Sequence, residues 1–261
     1  MGRLFHLMGG GQQFKYNMIL LIIQARLGST RFRRKVIKHI AGLPSIVYQY
    51  KRIKKVRNKI KSIVAIPEGK AEEKLREILN NYQINFFEGD EKNVFKRFLD
   101  CALFNNAKII IRINGDCPLI SPSTIDKTID TFIKSKNSDY VSTTLDQSYP
   151  IGEHVELFTL EALKKASLMK KTKEEEEHVT PVFYRNQNIF KCIQVEKLYD
   201  YPPQLRLCVD YKEDLDFVRE IANNFYPYLN FEIQDIINFI KQNKKIMYKN
   251  SKFKKSRKLE N

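Results

Sequence analysis

The sequence lacks any apolar run long enough to cross a membrane, and it has only four cysteines in 261 residues. A membrane-spanning helix needs about 18 or more consecutive apolar residues, so the composition excludes an ordinary transmembrane protein. The cysteines form no CxxC pair and have no zinc-ligand spacing; they are Cys101, Cys117, Cys192 and Cys208. We therefore expect reduced cysteines that pack in the core of a cytoplasmic protein.

The start of the chain also lacks the apolar core of a cleavable signal peptide. Residues 1–17 contain two cations and three consecutive glycines, and we expect them to form a disordered leader. An alternative start at Met18 stays open, because the first apolar strand pattern follows it directly.

Carboxylates are scarce relative to cations, and the net charge of +16 raises the question of a nucleic-acid partner. From Lys241 to the end, nine lysines and arginines face a single glutamate, so half of the excess lies there. We expect residues 244–261 to form a disordered basic tail. The remaining lysines accompany abundant Ile and Asn, which indicates compositional bias, so we expect no specific nucleic-acid partner. RNA or membrane binding by the tail remains an alternative.

Apolar strand patterns alternate with amphipathic helix patterns from Ile19 to Ile133. This alternation is typical of a mostly parallel sheet with helices on both faces. The second half is less regular, and we expect strands at His154–Phe158 and Leu205–Val209 and a helix at Glu174–Asn186. Because no linker or repeat interrupts the pattern, residues 18–243 are predicted to form a single α/β domain.

A cationic loop follows the first strand, whose five aliphatic residues at 19–23 indicate burial. Gly28 permits close approach of the backbone, and Ser29 and Thr30 supply hydroxyl donors. The loop's charges include Arg26, Arg31 and Lys35, and arginine can hold phosphate with two parallel N–H bonds. The Walker pattern GxxxxGK[ST] is absent. The loop predicts phosphate binding, although a solvated turn in a lysine-rich protein is the alternative.

Two aspartates stand directly after apolar strand patterns, and such strand ends are where open α/β sheets bind ligands. Asp116 lies in the run Asn114-Gly115-Asp116-Cys117-Pro118, and Asp210 follows Leu205–Val209. Magnesium is commonly held by one or two carboxylates together with substrate phosphates. With the cationic loop, this pair predicts phosphoryl or nucleotidyl transfer. Taken singly, either aspartate could instead cap a helix.

Four motifs in order carry a resemblance to a known family: residues 22–31 (IIQARLGSTR), 115–120 (GDCPLI), 177–181 (EHVTP) and 205–210 (LRLCVD). Together the motifs resemble the cytidylyltransferase family that includes the spore-coat polysaccharide protein SpsF, related to the enzymes that make CMP-activated sugar acids. The similarity covers the chain from about Met18 to about Phe225.

The resemblance implies a Rossmann-like nucleotidyltransferase fold with a mostly parallel mixed sheet, CTP as donor, Mg²⁺ as cofactor and a small sugar or sugar acid as acceptor. It implies catalytic roles for Arg26, Lys35 and Asp116, and metal binding by Asp116 and Asp210. The nucleotide-binding residues would be Gln24, Ala25, Arg26, Gly28, Ser29, Arg31, Lys35, Arg97, Asn114 and Gly115. The acceptor-side residues would be His154, Glu156, His178 and Arg206, and a homodimer is a further expectation.

The chain departs from the family pattern at two places. Leu-Pro-Gly is usual where this chain has Phe32-Arg33-Arg34, a change that would loosen the loop and add phosphate affinity. The family's Gly-Leu-Asp-Val-Glu stretch corresponds here to Gly152-Glu153-His154-Val155-Glu156. Because that stretch is expected beside the acceptor, the second departure leaves the acceptor's identity open.

Two other functions stay open from the sequence. One is a sugar-1-phosphate nucleotidyltransferase that uses another nucleoside triphosphate. The second is a non-catalytic RNA-binding protein, which the lack of interleaved surface aromatics disfavours. Both histidines and Arg206 also have ordinary structural alternatives, such as a hydrogen bond within a helix or a salt bridge.

Overall fold

A seven-stranded mixed sheet forms the centre of the computed structural model, which describes residues 19–202, 205–243 and 246. The strands are β1 Ile19–Gln24, β2 His39–Ile40, β3 Leu43–Pro44, β4 Lys61–Pro67, β5 Phe86–Gly89, β6 Ile109–Asn114, β7 Tyr140–Ser142, β8 Glu156–Thr159 and β9 Cys192–Gln194. The helices are α1 Ser45–Ile53, α2 Glu73–Asn81, α3 Val94–Phe104, α4 Pro122–Lys134, α5 Leu160–Ser167, α6 Lys173–His178, α7 Pro181–Tyr184, α8 Lys212–Phe225 and α9 Ile233–Gln242.

The strand order in the sheet is β5-β4-β1-β6-β8-β7-β9. The first four strands in that order are parallel, β8 runs antiparallel to both of its neighbours, and β9 is parallel to β7. The short β2–β3 hairpin stands apart from this sheet. The predicted fold class, a mostly parallel mixed sheet in an α/β protein, is confirmed.

Apolar side chains of β1 are buried on both faces of the sheet, which explains its unbroken aliphatic run. Ile19, Leu21 and Ile23 pack in a core with α1, α2 and α4. Leu20 and Ile22 pack on the opposite face with α3 and α5. A third cluster joins α8 and α9 to the apolar side chains that precede Asp210. The carboxyl ends of β1 and β6 lie side by side, because Gln24 pairs with Asn114.

Two predicted elements have a different structure. The helix expected over Glu174–Asn186 is divided into α6 and α7, because Val179 has a left-handed φ of 68° and Pro181 starts a new helix without an N–H to donate. The predicted strand Leu205–Val209 forms only an isolated bridge between Arg206 and Ile151. Its alternate residues are apolar because they pack against α8 and α9.

The remaining differences concern element boundaries and the ends of the chain. His154 precedes the strand in which it was predicted, since β8 starts at Glu156. The expected leader, residues 1–17, lies outside the described residues, as does nearly all of the expected basic tail. Within the described ranges, no helix combines the length and the apolar character that crossing a membrane requires.

Candidate functional site

The loop after β1 leaves the carboxyl edge of the sheet and is held at its base by a buried carboxylate. The Leu27 N–H lies 2.9 and 3.1 Å from the two oxygens of Glu72, a residue that is itself 3% exposed. Arg34 closes the loop by donating its N–H to the carbonyl of Leu27 at 3.2 Å. Arg26 and Arg31 stay exposed, so the loop presents cations to solvent from a fixed base.

Arg34 has a φ of 57° and a ψ of 28°, which places it in the left-handed region where a glycine is favoured. Arg34 is the third residue of the Phe32-Arg33-Arg34 stretch, where the resembling family usually has Leu-Pro-Gly. The backbone of this chain keeps the turn that suits glycine, although it carries an arginine. This departure therefore introduces local backbone strain as well as charge.

The loop after β6 lies against the end of β1. The Gly115 N–H donates to the carbonyl of Gln24 at 2.8 Å, and a Cβ at Gly115 would stand 2.9 Å from the same oxygen. A side chain would therefore push the two loops apart. The Gln49 amide of α1 donates to the carbonyls of Asn114 and Cys117, at 2.8 and 2.9 Å, and fixes both ends of the turn that carries Asp116.

A third segment brings Asp210 to the same place. The Val209 N–H donates to the carbonyl of Asp116 at 2.8 Å. At the start of α8, the buried carboxylate of Asp214 accepts the N–H groups of Asp210 and Tyr211, at 2.9 and 3.0 Å. Two aspartates that are far apart in sequence are thus positioned side by side by backbone hydrogen bonds.

The centre of the site is the ammonium of Lys35, which joins both aspartates. Its Nζ lies 2.7 Å from Asp116 Oδ2 and 2.8 Å from Asp210 Oδ1, and the lysine side chain is only 13% exposed. Arg206 approaches Asp210 Oδ2 at 3.2 Å, and Arg31 lies 4.0 Å from the same oxygen. We call Lys35, Asp116 and Asp210 the edge cluster.

Charge pairing dominates the electrostatics of the edge cluster. Burial alone would raise the pKa of Asp210, but Lys35 and Arg206 outweigh it and hold that pKa below its usual value. Burial likewise opposes charge on Lys35, yet the two carboxylates raise its pKa above the usual range. Burial raises the pKa of the Cys117 and Cys208 thiols well above normal, so both remain protonated neighbours of the aspartates.

The donor set of the edge cluster fits a magnesium ion that is shared with phosphates. Asp116 Oδ2 and Asp210 Oδ1 already converge on one cation, the ammonium of Lys35, within 2.8 Å. Within the described ranges, no group of three or more His, Cys, Asp and Glu side chains is arranged to hold a metal. Two carboxylates that leave the remaining positions to phosphates and water are the usual magnesium arrangement.

The structure places other predicted site residues away from the edge cluster. Arg97, predicted to bind nucleotide, is 1% exposed and donates to the carbonyl of Asp90 at 2.6 Å. Its burial, with the charge of Arg26, lowers its pKa to about 10. Arg26 itself is half exposed and forms an ion pair with Glu177 at 3.1 Å. Arg97 is therefore enclosed by the protein, whereas about half of the Arg26 side chain is open to solvent.

Glu156, predicted on the acceptor side, is buried in the sheet. Its carboxylate forms an ion pair with Arg112 and accepts the hydroxyls of Tyr140 at 2.8 Å and Thr180 at 2.6 Å. Arg112 in turn donates to the side chain of Gln24 at 3.3 Å. Through Arg112, Glu156 is thus connected to Gln24 at the carboxyl end of β1.

The remaining predicted residues lie in the loop after β1, just before β8 and at the end of α6. Ser29 accepts the Phe32 N–H at 3.4 Å, a local contact within the loop. His154 and His178 are partly buried, the first just before β8 and the second at the last residue of α6. Ala25 is buried against Gly115, and Gly28 is exposed with no atom near the position of a Cβ.

Sequence reasoning missed the buried residues that hold the loops, namely Glu72, Gln49, Arg112 and Asp214. Asp214 had a signal, because an acidic residue three positions after the N-cap Tyr211 is typical of a capped helix start. Gln49 and Arg112 stand in apolar patterns, where a buried polar residue indicates a hydrogen-bonding role without naming its partner.

Comparison with known proteins gives a consistent result. A family model described as cytidylyltransferase matches residues 20–254. An uncharacterized protein of Methanocaldococcus jannaschii is 36% identical over 89% of this chain and 94% of its own length. The spore coat polysaccharide biosynthesis protein SpsF of Bacillus subtilis is 26% identical, covering 87% and 95%. The solved structure of a cytidylyltransferase from Leptospira borgpetersenii is 27% identical, with a TM-score of 0.83 and coverage of 88% and 96%.

Proposed function

Because the chain belongs to the cytidylyltransferase family, we propose that it transfers CMP from CTP to a sugar or sugar-acid acceptor and releases pyrophosphate. We place this reaction in the biosynthesis of a surface polysaccharide or glycoconjugate, as the name of the Bacillus subtilis relative suggests. The single observation that carries the proposal is the convergence of Lys35, Asp116 and Asp210 beside an exposed cationic loop.

The loop residues would bind the triphosphate of CTP. Arg26 and Arg31 have side chains 48% and 58% exposed, so their guanidinium groups can reach phosphate oxygens in solvent. Gly28 leaves the backbone open to close approach, and Ser29 and Lys35 add donors from the same segment. Several positive groups on one loop suit a ligand whose negative charges lie close together.

Asp116 and Asp210 would hold Mg²⁺ against the phosphates. When bound, magnesium supplies charge neutralisation at the α-phosphate and at the leaving pyrophosphate. The protein's own residues would orient the triphosphate so that an acceptor oxygen attacks the α-phosphorus in line with the leaving group. A new bond forms between the acceptor oxygen and the α-phosphorus as the bond from the α-phosphorus to the oxygen that bridges the α- and β-phosphates breaks. Pyrophosphate leaves with that oxygen, and the acceptor's proton passes to solvent.

We assign Arg206 to an acidic acceptor, whose carboxylate would compete with the two aspartates that already pair with this arginine. It lies 3.2 Å from Asp210 and 3.5 Å from the buried Asp214, with 12% of its side chain exposed. His154 and His178 are our further acceptor-side assignments. Glu156 and Arg97 would act through the residues that they support, since both are buried.

A thermal-shift experiment with the four nucleoside triphosphates in the presence of Mg²⁺ tests the donor. CTP should raise the melting temperature most, because ligand binding to the native state stabilises it by mass action. Preference for GTP, UTP or ATP would instead support a sugar-1-phosphate nucleotidyltransferase with another donor. Stabilisation by RNA alone would support the non-catalytic alternative.

Pyrophosphate release then tests the acceptor. CTP and Mg²⁺ are supplied with neutral sugars, sugar phosphates and 3-deoxy sugar acids in separate reactions, and pyrophosphate is measured by a coupled assay. We expect release only with an accepted class, and preference for sugar acids would support the assignment of Arg206.

Sedimentation measurements in the same buffer test the expected homodimer.

A further inference from the structure

The ammonium of Lys35 occupies the gap between the two carboxylates that the proposed function assigns to magnesium. Its Nζ lies 2.7 Å from Asp116 and 2.8 Å from Asp210. A magnesium ion would have to bind these carboxylates at about 2.1 Å. Two cations in one narrow, partly buried gap repel each other strongly, so metal and ammonium compete for the same oxygens.

Lys35 is held by fewer buried partners than Arg206, the other partly buried cation that pairs with Asp210. Within the described part of the chain, its ion pairs are formed with these two aspartates alone. Arg206, by contrast, also pairs with Asp214, which is fully buried at the start of α8. Lysine has a flexible four-carbon stem and a point charge, so its ammonium can move without a matching fork of partners.

The path for such a movement starts in the loop itself. Lys35 begins the short 3-10 turn Lys35–Ile37, directly after the exposed loop that we assign to the triphosphate. Phosphates bound there would offer the ammonium new anionic partners a short distance from the aspartates.

We propose that Lys35 is an exchangeable counter-ion that makes metal binding depend on nucleotide. In the nucleotide-free protein it holds Asp116 and Asp210 together and excludes a divalent cation. When the triphosphate arrives, the ammonium transfers to phosphate oxygens and the two carboxylates become free for the metal. This inference rests on the proposed metal assignment, and it adds an order to the binding of nucleotide and metal.

Mn²⁺ binding without nucleotide tests the proposal by a measurement independent of activity. Free Mn²⁺ is quantified by electron paramagnetic resonance as protein is added. The unaltered protein should bind Mn²⁺ weakly, and Lys35→Met should bind it at least about tenfold more tightly, because a competing charge is removed. Lys35→Arg keeps the charge and should show no such gain. An unchanged affinity in a folded Lys35→Met protein overturns the proposal.

Lys38→Met is the matched control, because Lys38 is an exposed lysine three residues further on, with its Nζ 5.8 Å from the centre of the Phe32 ring. Its Mn²⁺ affinity should equal that of the unaltered protein. A gain as large as that of Lys35→Met would reveal a general effect of net charge and would also overturn the proposal.

A second measurement keeps the test valid if Lys35→Met fails to fold. In ¹H–¹⁵N spectra of the lysine ammonium groups, the Lys35 signal is assigned by its loss in Lys35→Arg. It should keep its position with Mg²⁺ alone and shift when CTP is added with Mg²⁺. A full shift with Mg²⁺ alone would contradict the proposal.

Asp116→Asn separates this proposal from the function on which it rests. Asp116→Asn can weaken Mn²⁺ binding in the presence of CTP while Lys35→Met has no higher Mn²⁺ affinity in the absence of CTP. In that case the exchange is wrong and the metal assignment is supported. If Asp116→Asn leaves Mn²⁺ binding unchanged, the metal assignment itself is wrong and the exchange falls with it.

Discussion

The edge cluster and the Arg112–Glu156 pair are both built from cations and carboxylates, but they lie in very different surroundings. Lys35, Asp116 and Asp210 have side chains 13–24% exposed and face the cationic loop. Arg112 and Glu156 are 7% and 8% exposed, inside the sheet between β6 and β8. The two clusters are linked through Gln24, which accepts a hydrogen bond from Arg112 and carries the carbonyl that binds Gly115.

The difference lies in how completely the partners satisfy one another. Glu156 accepts hydrogen bonds from Arg112, Tyr140 and Thr180, and burial leaves no access for a competing ligand. Despite that burial, these partners hold the pKa of Glu156 below its usual value. The edge cluster is joined by a single flexible ammonium beside solvent. A saturated buried pair fixes structure, whereas a partly exposed pair can exchange partners with a ligand.

The largest expected effect is on activity, from Asp116→Asn in the edge cluster. Pyrophosphate release from CTP should fall by about 10²–10³-fold, because the variant would lose a carboxylate that we assign to holding Mg²⁺ against the reacting phosphates. The melting temperature should change little, since Lys35 keeps its contact with Asp210. A coupled pyrophosphate assay measures the rate, and the control is Asp130→Asn, at a partly exposed aspartate of α4. A rate within about threefold of that of the unaltered protein would contradict the catalytic assignment of Asp116.

Glu156→Gln should instead act on stability. The substitution leaves the Arg112 guanidinium buried without a carboxylate, and breaking a buried pair in this way costs about 3–5 kcal/mol. Urea denaturation measures the change in the free energy of unfolding. The control is Glu161→Gln, where the side chain is 81% exposed and the expected change is below about 0.5 kcal/mol. Equal effects in the two variants would show that the Arg112–Glu156 pair contributes no special stability.

Glu153 is a fully buried carboxylate of a third kind, because its hydrogen-bond donors are all neutral. They are the Ser121 N–H and the hydroxyls of Ser121 and Thr124. Burial raises its pKa from 4.5 to about 7. Between pH 4.5 and about pH 7, the folded protein therefore binds a proton that the unfolded chain does not. The free energy of unfolding should fall as the pH rises through this range. The loss should reach up to about 3 kcal/mol at pH 8.

Glu153→Gln should remove this pH dependence, because the amide does not ionise. Urea denaturation of both proteins at pH 5, 6, 7 and 8 measures the difference in the free energy of unfolding. As the pH rises from 5 to 8, the free energy of unfolding of the unaltered protein should fall relative to that of Glu153→Gln. Parallel curves across the series would mean that Glu153 is ionised throughout.

The smallest expected effect is at Arg34, next to the edge cluster. Arg34→Gly should raise the free energy of unfolding by about 0.5–1 kcal/mol, because glycine adopts a φ of 57° without the steric cost of a Cβ. Arg33→Gly is the matched control, since the neighbouring arginine has no left-handed φ, and it should be neutral or destabilising. Calorimetric melting of both variants measures the difference, and a gain at Arg33 alone would contradict the strain argument.

The sequence predicted the parallel part of the fold well, because each βα unit there is built from local patterns. Residues 19–114 place four apolar strands between amphipathic helices, and the pairing of those strands follows from short right-handed crossovers. The second half was predicted less well. β8 inserts antiparallel between β6 and β7, and strands of three or four residues carry too little periodicity to reveal such pairing.

The site shows the same division. Lys35, Asp116 and Asp210 were selected as site residues because they lie in polar segments that follow apolar strand patterns. In the structure, the ammonium of Lys35 lies within 2.8 Å of both carboxylates. Arg97 and Glu156 were assigned to ligands from the family resemblance, and the structure places both inside the protein. Glu72 and Gln49 could not be assigned because their hydrogen-bond partners lie 45 or more residues away.

By itself, the sequence determined the family, the α/β class and the types of residue at the strand ends. These depend on composition, periodicity and short motifs, all of which are local. Only the tertiary structure decided which charges meet, which carboxylates are buried among several donors and which stay partly exposed. The physical reason is that burial and ion pairing depend on segments far apart in the chain, such as 27–35, 114–117 and 206–214, which the sheet brings together at one edge.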